Sequence, residues 1–91
     1  MEATAAKAKD GREREKLDAM FRLCGFGPNG DSSWSLGLGS IGAVVIRAGE
    51  NRWNWVGYNG VHLLVGQAGL PNPEMAAARA RDWFERFEHT V

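Results

Sequence analysis

Three stretches of the chain carry residue types that could do chemistry. Gly37-Leu38-Gly39-Ser40-Ile41-Gly42 matches the G-x-G-x-x-G string that cradles a dinucleotide pyrophosphate. That chemistry needs a strand before the glycines, a helix N-terminus after them, and an acidic residue about 20 positions further on. Here a β-branched run, Ala43–Arg47, follows instead, and 91 residues of this pattern hold no βαβ unit. The glycines are therefore expected to relieve crowding in a kinked or bulged strand.

Cys24 and His62 are the second candidate, as nucleophile and base. Cys24 falls on the apolar stripe of a helix, where a core cysteine is the default. His89 stands near the C-terminal end. One cysteine and two separated histidines give no zinc spacing, and the acids cluster on helix surfaces rather than pairing for acid–base work. The expectations are no enzyme, no metal and no cofactor.

The third is Trp53-Asn54-Trp55, flanked by Arg47, Arg52 and Tyr58. Aromatic side chains on a sheet stack bases, and arginines bind phosphate. The competing reading, preferred here, is that tryptophans alternating along a strand are core.

The elements that position these residues follow from periodicity. Residues 1–10 are polar and alanine-rich, and are expected to be frayed or disordered ahead of a single α+β domain over 11–91. Asp10 and Glu13 have capping-box spacing. Leu17, Met20, Phe21 and Cys24 share one helical face, and Gly25 is a fitting stop, so a helix is predicted from about Gly11 to Cys24. Residues 25–33 read as a loop, with Phe26 tucked under the domain.

From Trp34 to Gly66 the pattern is β, giving an antiparallel sheet of three to four strands with turns at Gly39-Ser40, Ala48–Asn51 and Asn59-Gly60. A type I′ turn at Asn59-Gly60 pairs Tyr58 with Val61, Val56 with Leu63 and Asn54 with Val65 on one face. Trp53, Trp55, His62 and Leu64 then share the other. An even loop at 48–51 adds Val44 and Ile46 to the tryptophan face, and Ala43, Val45, Arg47 and Arg52 to the valine face; one extra residue there reverses both. Asn72 suits the N-cap of a last helix, Pro73 its first turn and Glu74 the positive end of its dipole. Ala76, Ala80, Phe84 and Phe87 make its apolar stripe, flanked by Ala77 and Trp83.

Bulk properties narrow the function classes. Eleven basic and eleven acidic residues give zero formal charge, against the basic balance usual for nucleic-acid grip. The single cysteine cannot form an intrachain disulfide, which suits a reducing cytoplasm. No apolar run has the length of a membrane span, and the N-terminus has no apolar signal-peptide core.

The order helix, three strands, helix over about residues 11–89 is similar to the double-stranded-RNA-binding domain. In that family lysines opening the second helix clamp phosphates, and a Gly-Pro loop with His reaches the minor groove. Here the second helix opens with Asn72-Pro73-Glu74, and Gly27-Pro28 precedes the sheet, so none of those binding residues carries over. In short length, the Asn59-Gly60 hairpin, the capped helix from Asn72 and the lack of a catalytic constellation, the chain also resembles small phage-encoded inhibitors of host defence, the anti-CRISPR type. That resemblance implies function by surface contact and transfers no site residue.

The resulting expectation is a small non-enzymatic protein acting by protein–protein contact, in the manner of a phage-type inhibitor of a host defence complex. Its partner is another protein or a second copy in a homodimer, with no membrane. The contact residues expected are Arg47, Arg52, Asn54, Val56, Tyr58 and Leu63. The alternative is a nucleic-acid-binding module of dsRBD-like topology.

Overall fold

In the computed structural model, which describes the backbone of residues 2–90 and the side chains of residues 11–87, helix α1 spans Glu2–Leu23. The side chains of 1–10, expected to be frayed, lie outside the described ones. At its C-terminal end Gly25 adopts a positive φ of 89°. The Gly25 N–H donates to the Arg22 carbonyl at 3.0 Å and the Phe26 N–H to the Phe21 carbonyl at 2.8 Å. This pair of bonds is a Schellman cap, and its usual apolar clasp is the edge-to-face contact of Phe21 with Phe26. The cap thus drives Phe26 into the core, where it is buried as expected. Arg81 of the last helix adds a hydrogen bond to the Cys24 carbonyl at 3.1 Å.

Five strands follow in a meander: β1 (Gly27–Pro28), β2 (Ser33–Leu38), β3 (Ile41–Gly49), β4 (Arg52–Asn59) and β5 (His62–Leu70), each hydrogen-bonded antiparallel to the next. β1 is the strand that the run of turn formers hides, a two-residue edge pairing with Ser35 and Trp34. Helix α2 (Pro73–Thr90) completes the α+β fold. Its cap is as expected: the Met75 N–H donates to Asn72 Oδ1 at 2.8 Å.

The register differs from expectation at two turns. Gly49 pairs with Arg52, so Glu50-Asn51 is a two-residue turn, and Ala48 is left as a bulge. That extra residue reverses β3. Ala43, Val45 and Arg47 stand beside Gly57, Trp55 and Trp53 on the tryptophan face, while Val44 and Ile46 stand beside Val56 and Asn54 on the other. At the second turn Asn59 pairs with His62, which makes Gly60-Val61 the turn. Gly60 has φ 63° and Val61 does not have a positive φ. This is the type II′ pattern with glycine first, rather than type I′ over Asn59-Gly60. The two-residue shift moves Leu63 from Val56 to Tyr58 and leaves it on the expected face. A bulge at Leu64 then sends Val65 to the tryptophan face, opposite Gly57.

The core lies between the tryptophan face and both helices. Phe21 of α1 stacks on Trp34 at 4.5 Å and meets Trp53 at 6.0 Å. Ala76, Ala77 and Ala80 of α2 are fully buried in the same cluster. Small residues let α2 approach β3 and β4 closely, and Gly57 extends that approach. A Cβ built there would lie 2.5–2.7 Å from three ring atoms of Trp83. The indole donors inside are answered, Trp34 Nε1 by Asp18 Oδ1 at 2.6 Å and Trp55 Nε1 by Gln67 Oε1 at 2.9 Å.

Candidate interaction surface

Because both helices pack on the tryptophan face, no element covers the opposite face of the sheet among the described residues. Its side chains form cross-strand rows. Ser33, Ile46 and Asn54 make one row, Ser35, Val44, Val56 and Gly66 the next, and Gly37, Gly42, Tyr58 and Leu63 the third. The glycines of the G-x-G-x-x-G string have a mechanical role here. A Cβ built at Gly42 would lie 2.6 Å from Tyr58 Cζ and 2.9 Å from the Leu36 carbonyl oxygen, and one at Gly37 would lie 3.8 Å from Tyr58 Oη. The Tyr58 ring thus occupies the space that a side chain at Gly42 would fill, while Gly37 lies in ordinary contact range of its hydroxyl. Gly39, at φ 65°, turns the chain between them. Gly42 relieves crowding against the Tyr58 ring as expected, but within a regular β2–β3 hairpin that turns at Gly39-Ser40 and not in a kinked or bulged strand.

Five of the six expected contact residues share this face: Arg52, Asn54, Val56, Tyr58 and Leu63. Leu63 is 72 % exposed. Asn54 also has a structural task, since its Oδ1 accepts the Gly69 N–H at 3.0 Å and pins the bulge of β5.

Arg47 does not join them. The Ala48 bulge puts it on the helix side, with its guanidinium 5.5 Å above Trp53, an ion pair to Glu13 at 2.8 Å and a bond to the Gly49 carbonyl. There it lines a cavity of about 220 Å³ between α1 and residues 31–32. The other arginine of that cavity, Arg14, pairs with Asp31 at 3.4 Å. Val44 and the 38 %-exposed Ile46 stand on the open face instead of the tryptophan face that an even loop at 48–51 implies. Nothing in the local sequence marks Ala48 as a bulge, so no signal was there to find them.

The electrostatics of the surface are plain. Arg47, Glu50 and Arg52 are the only charged side chains between residues 33 and 70; the other charges of the chain lie in 1–32 and 71–91. With Arg47 turned away, Arg52 is the one basic side chain among the rows of the open face. Such a surface has apolar area and little charge with which to grip phosphates.

The other candidates stay apart. Cys24 packs at the end of α1 against the core, whereas His62 is exposed beside Asn59 at the β4–β5 hairpin tip. The His89 side chain lies outside the described ones. Among the described residues no three of His, Cys, Asp or Glu gather as metal ligands, and no helix is long and apolar enough to cross a membrane. No protein-family model, curated protein or solved structure matches this chain.

Proposed function

We propose that this chain works by protein–protein contact, with the uncovered sheet face as its contact surface. The observation that carries the reading is the one-sided placement of the helices. It leaves Val44, Ile46, Val56, Tyr58 and Leu63 contiguous on a face almost free of charge. Single domains rarely expose contiguous apolar patches beyond a few hundred Å² without a use for them. Tyr58, packed over Gly42, loses little side-chain freedom on binding, the property that makes aromatic residues common anchors. The particular form we propose is stoichiometric blocking of another protein's surface in a reducing compartment, the mode that the resemblance to anti-CRISPR-type inhibitors implies. Arg47, the second arginine of a base-stacking reading, faces the wrong way for it, so nucleic acid is the outcome to be tested against.

The test places a photo-crosslinking residue at Ile46, and at the exposed Arg79 of α2 as control. Protein adducts from Ile46 alone, resistant to nuclease and abolished when Leu63→Glu is added, support the reading. Equal adducts from both positions, or adducts lost on nuclease treatment, overturn it.

A further inference from the structure

The two edges of the sheet are unlike. β1 is two residues long and ends in Pro28, a blunted edge. β5 is nine residues long, His62 is its only ionisable residue, and it contains no lysine and no proline. Among the described residues nothing pairs with its outer side. Eight of its nine residues are exposed, among them Leu63, Leu64 at 47 % and Val65 at 37 %. Both faces of this edge are therefore bare, Leu63 on the open face and Val65 on the helix face beside Gly57 and Trp83.

We propose that β5 pairs antiparallel with β5 of a second copy, about a two-fold axis at Gly66. The inference rests on the reading of the chain as a contact protein and names one of its partners. Centred on Gly66, the pairing sets Val65 opposite Gln67, Leu64 opposite Ala68 and Leu63 opposite Gly69. Each large residue of one copy meets a smaller or uncharged one of the other, and no like charges face each other. A lone extended peptide would satisfy the edge amides and leave Leu63 and Val65 bare. A second copy satisfies the same amides and also brings Val65 of each copy to diagonal positions across the seam on the helix face, about 7–8 Å apart, so that each partly covers the other. A nine-residue seam is about 30 Å long, and with about 10 Å of side chain on either side it reaches the ~1,200 Å² at which specific interfaces begin. Zero formal charge adds no long-range repulsion between copies. The blunted β1 edge stops the sheet from growing further, so the pairing closes at two.

The test is solution mass by light scattering, with far-UV circular dichroism as the check of folding. Wild type should have twice the 10.0 kDa monomer mass. Leu64→Lys with Ala68→Lys sets lysine opposite lysine twice and should give a folded monomer. Leu64→Lys with Ala68→Glu should restore the dimer. The two altered residues are about 13 Å apart along one strand, so they form their ion pair only across the seam. A wild-type monomer overturns the proposal and leaves the edge to an extended segment of another protein. A dimer that survives the double lysine and dissociates on Ile46→Glu also overturns it, while upholding contact through the open face. Failure of the Lys/Glu pair to restore what Lys/Lys abolishes overturns the register.

Discussion

A methyl group at position 57 should destabilise the domain only while Trp83 is present. An ideal Cβ on Gly57 lies 2.5, 2.6 and 2.7 Å from Cζ3, Cη2 and Cε3 of Trp83. Carbon atoms in contact sit about 3.5–4.0 Å apart, so the ring has to withdraw by about 1 Å. Phe87, stacked on the indole at 5.1 Å, and Trp55, at 6.2 Å, both oppose that movement. Overpacking of this kind costs about 1–3 kcal/mol. At about 2 kcal/mol, Gly57→Ala should lower the melting temperature by roughly 8–16 °C for a domain of this size. Gly57 does not have a positive φ, so alanine fits the backbone itself. In a Trp83→Ala background the same change should therefore be neutral or stabilise by about 0.5 kcal/mol, because alanine loses less chain entropy than glycine on folding. Urea unfolding of the four proteins, followed by far-UV circular dichroism so that the lost indole does not affect the signal, gives the coupling. Equal destabilisation in both backgrounds would refute the reasoning, since the cost would then belong to the strand and not to the ring.

Two further substitutions test the supports of the helices. Asn72→Ala removes the acceptor for the Met75 N–H and should cost about 1 kcal/mol, with amide exchange rising in the first turn of α2 and unchanged in α1. Asp18→Ala leaves the Trp34 indole N–H without its 2.6 Å partner and should cost about 1–2 kcal/mol in urea unfolding; a Trp34→Phe background, which removes the donor, should make the same change nearly neutral.

How far the fold was legible depended on whether a local signal carried it. Leu17, Met20, Phe21 and Cys24 recur at helical spacing and pack on the core as that spacing implies. Gly25 and Asn72 are end signals whose backbone bonds can be named before the structure is known. The face of each strand was less legible. Register is strongly specified when one face is polar, because a slip by one then buries charge. Val44, Val45 and Ile46 are all apolar, as are Leu63, Leu64 and Val65, so a bulge at Ala48 or Leu64 changes which side chain faces the helices without violating any polarity pattern. Strict alternation therefore sets Arg47 beside Arg52. The charge that corrects it is Glu13, 34 residues away on α1, a contact only tertiary structure supplies.

The same ambiguity bears on function. A strand that is apolar on both faces is stable against slippage only if both faces are eventually covered, or if something other than polarity fixes its register. In this sheet the central strands have such a device on the open side: Tyr58 packs over Gly42, where a side chain of any other residue would collide with its ring. Asn59 ties the two hairpin tips together, accepting from Ser40 Oγ at 2.9 Å, while the Gly60 N–H donates to the Ser40 carbonyl at 2.7 Å. β2, β3 and β4 thus have their register fixed without a covering layer. β5 is paired less regularly: two bulges interrupt its ladder with β4, and Asn54 and Gln67 tie it there by side-chain hydrogen bonds. Pairing with a second copy would satisfy the outer side of β5 and join the two open faces into one. A partner large enough to span the seam would then meet Leu63 and Tyr58 from both copies at once, and its affinity should fall with the dimer when Leu64 and Ala68 both become lysine, although neither of its anchor residues has changed.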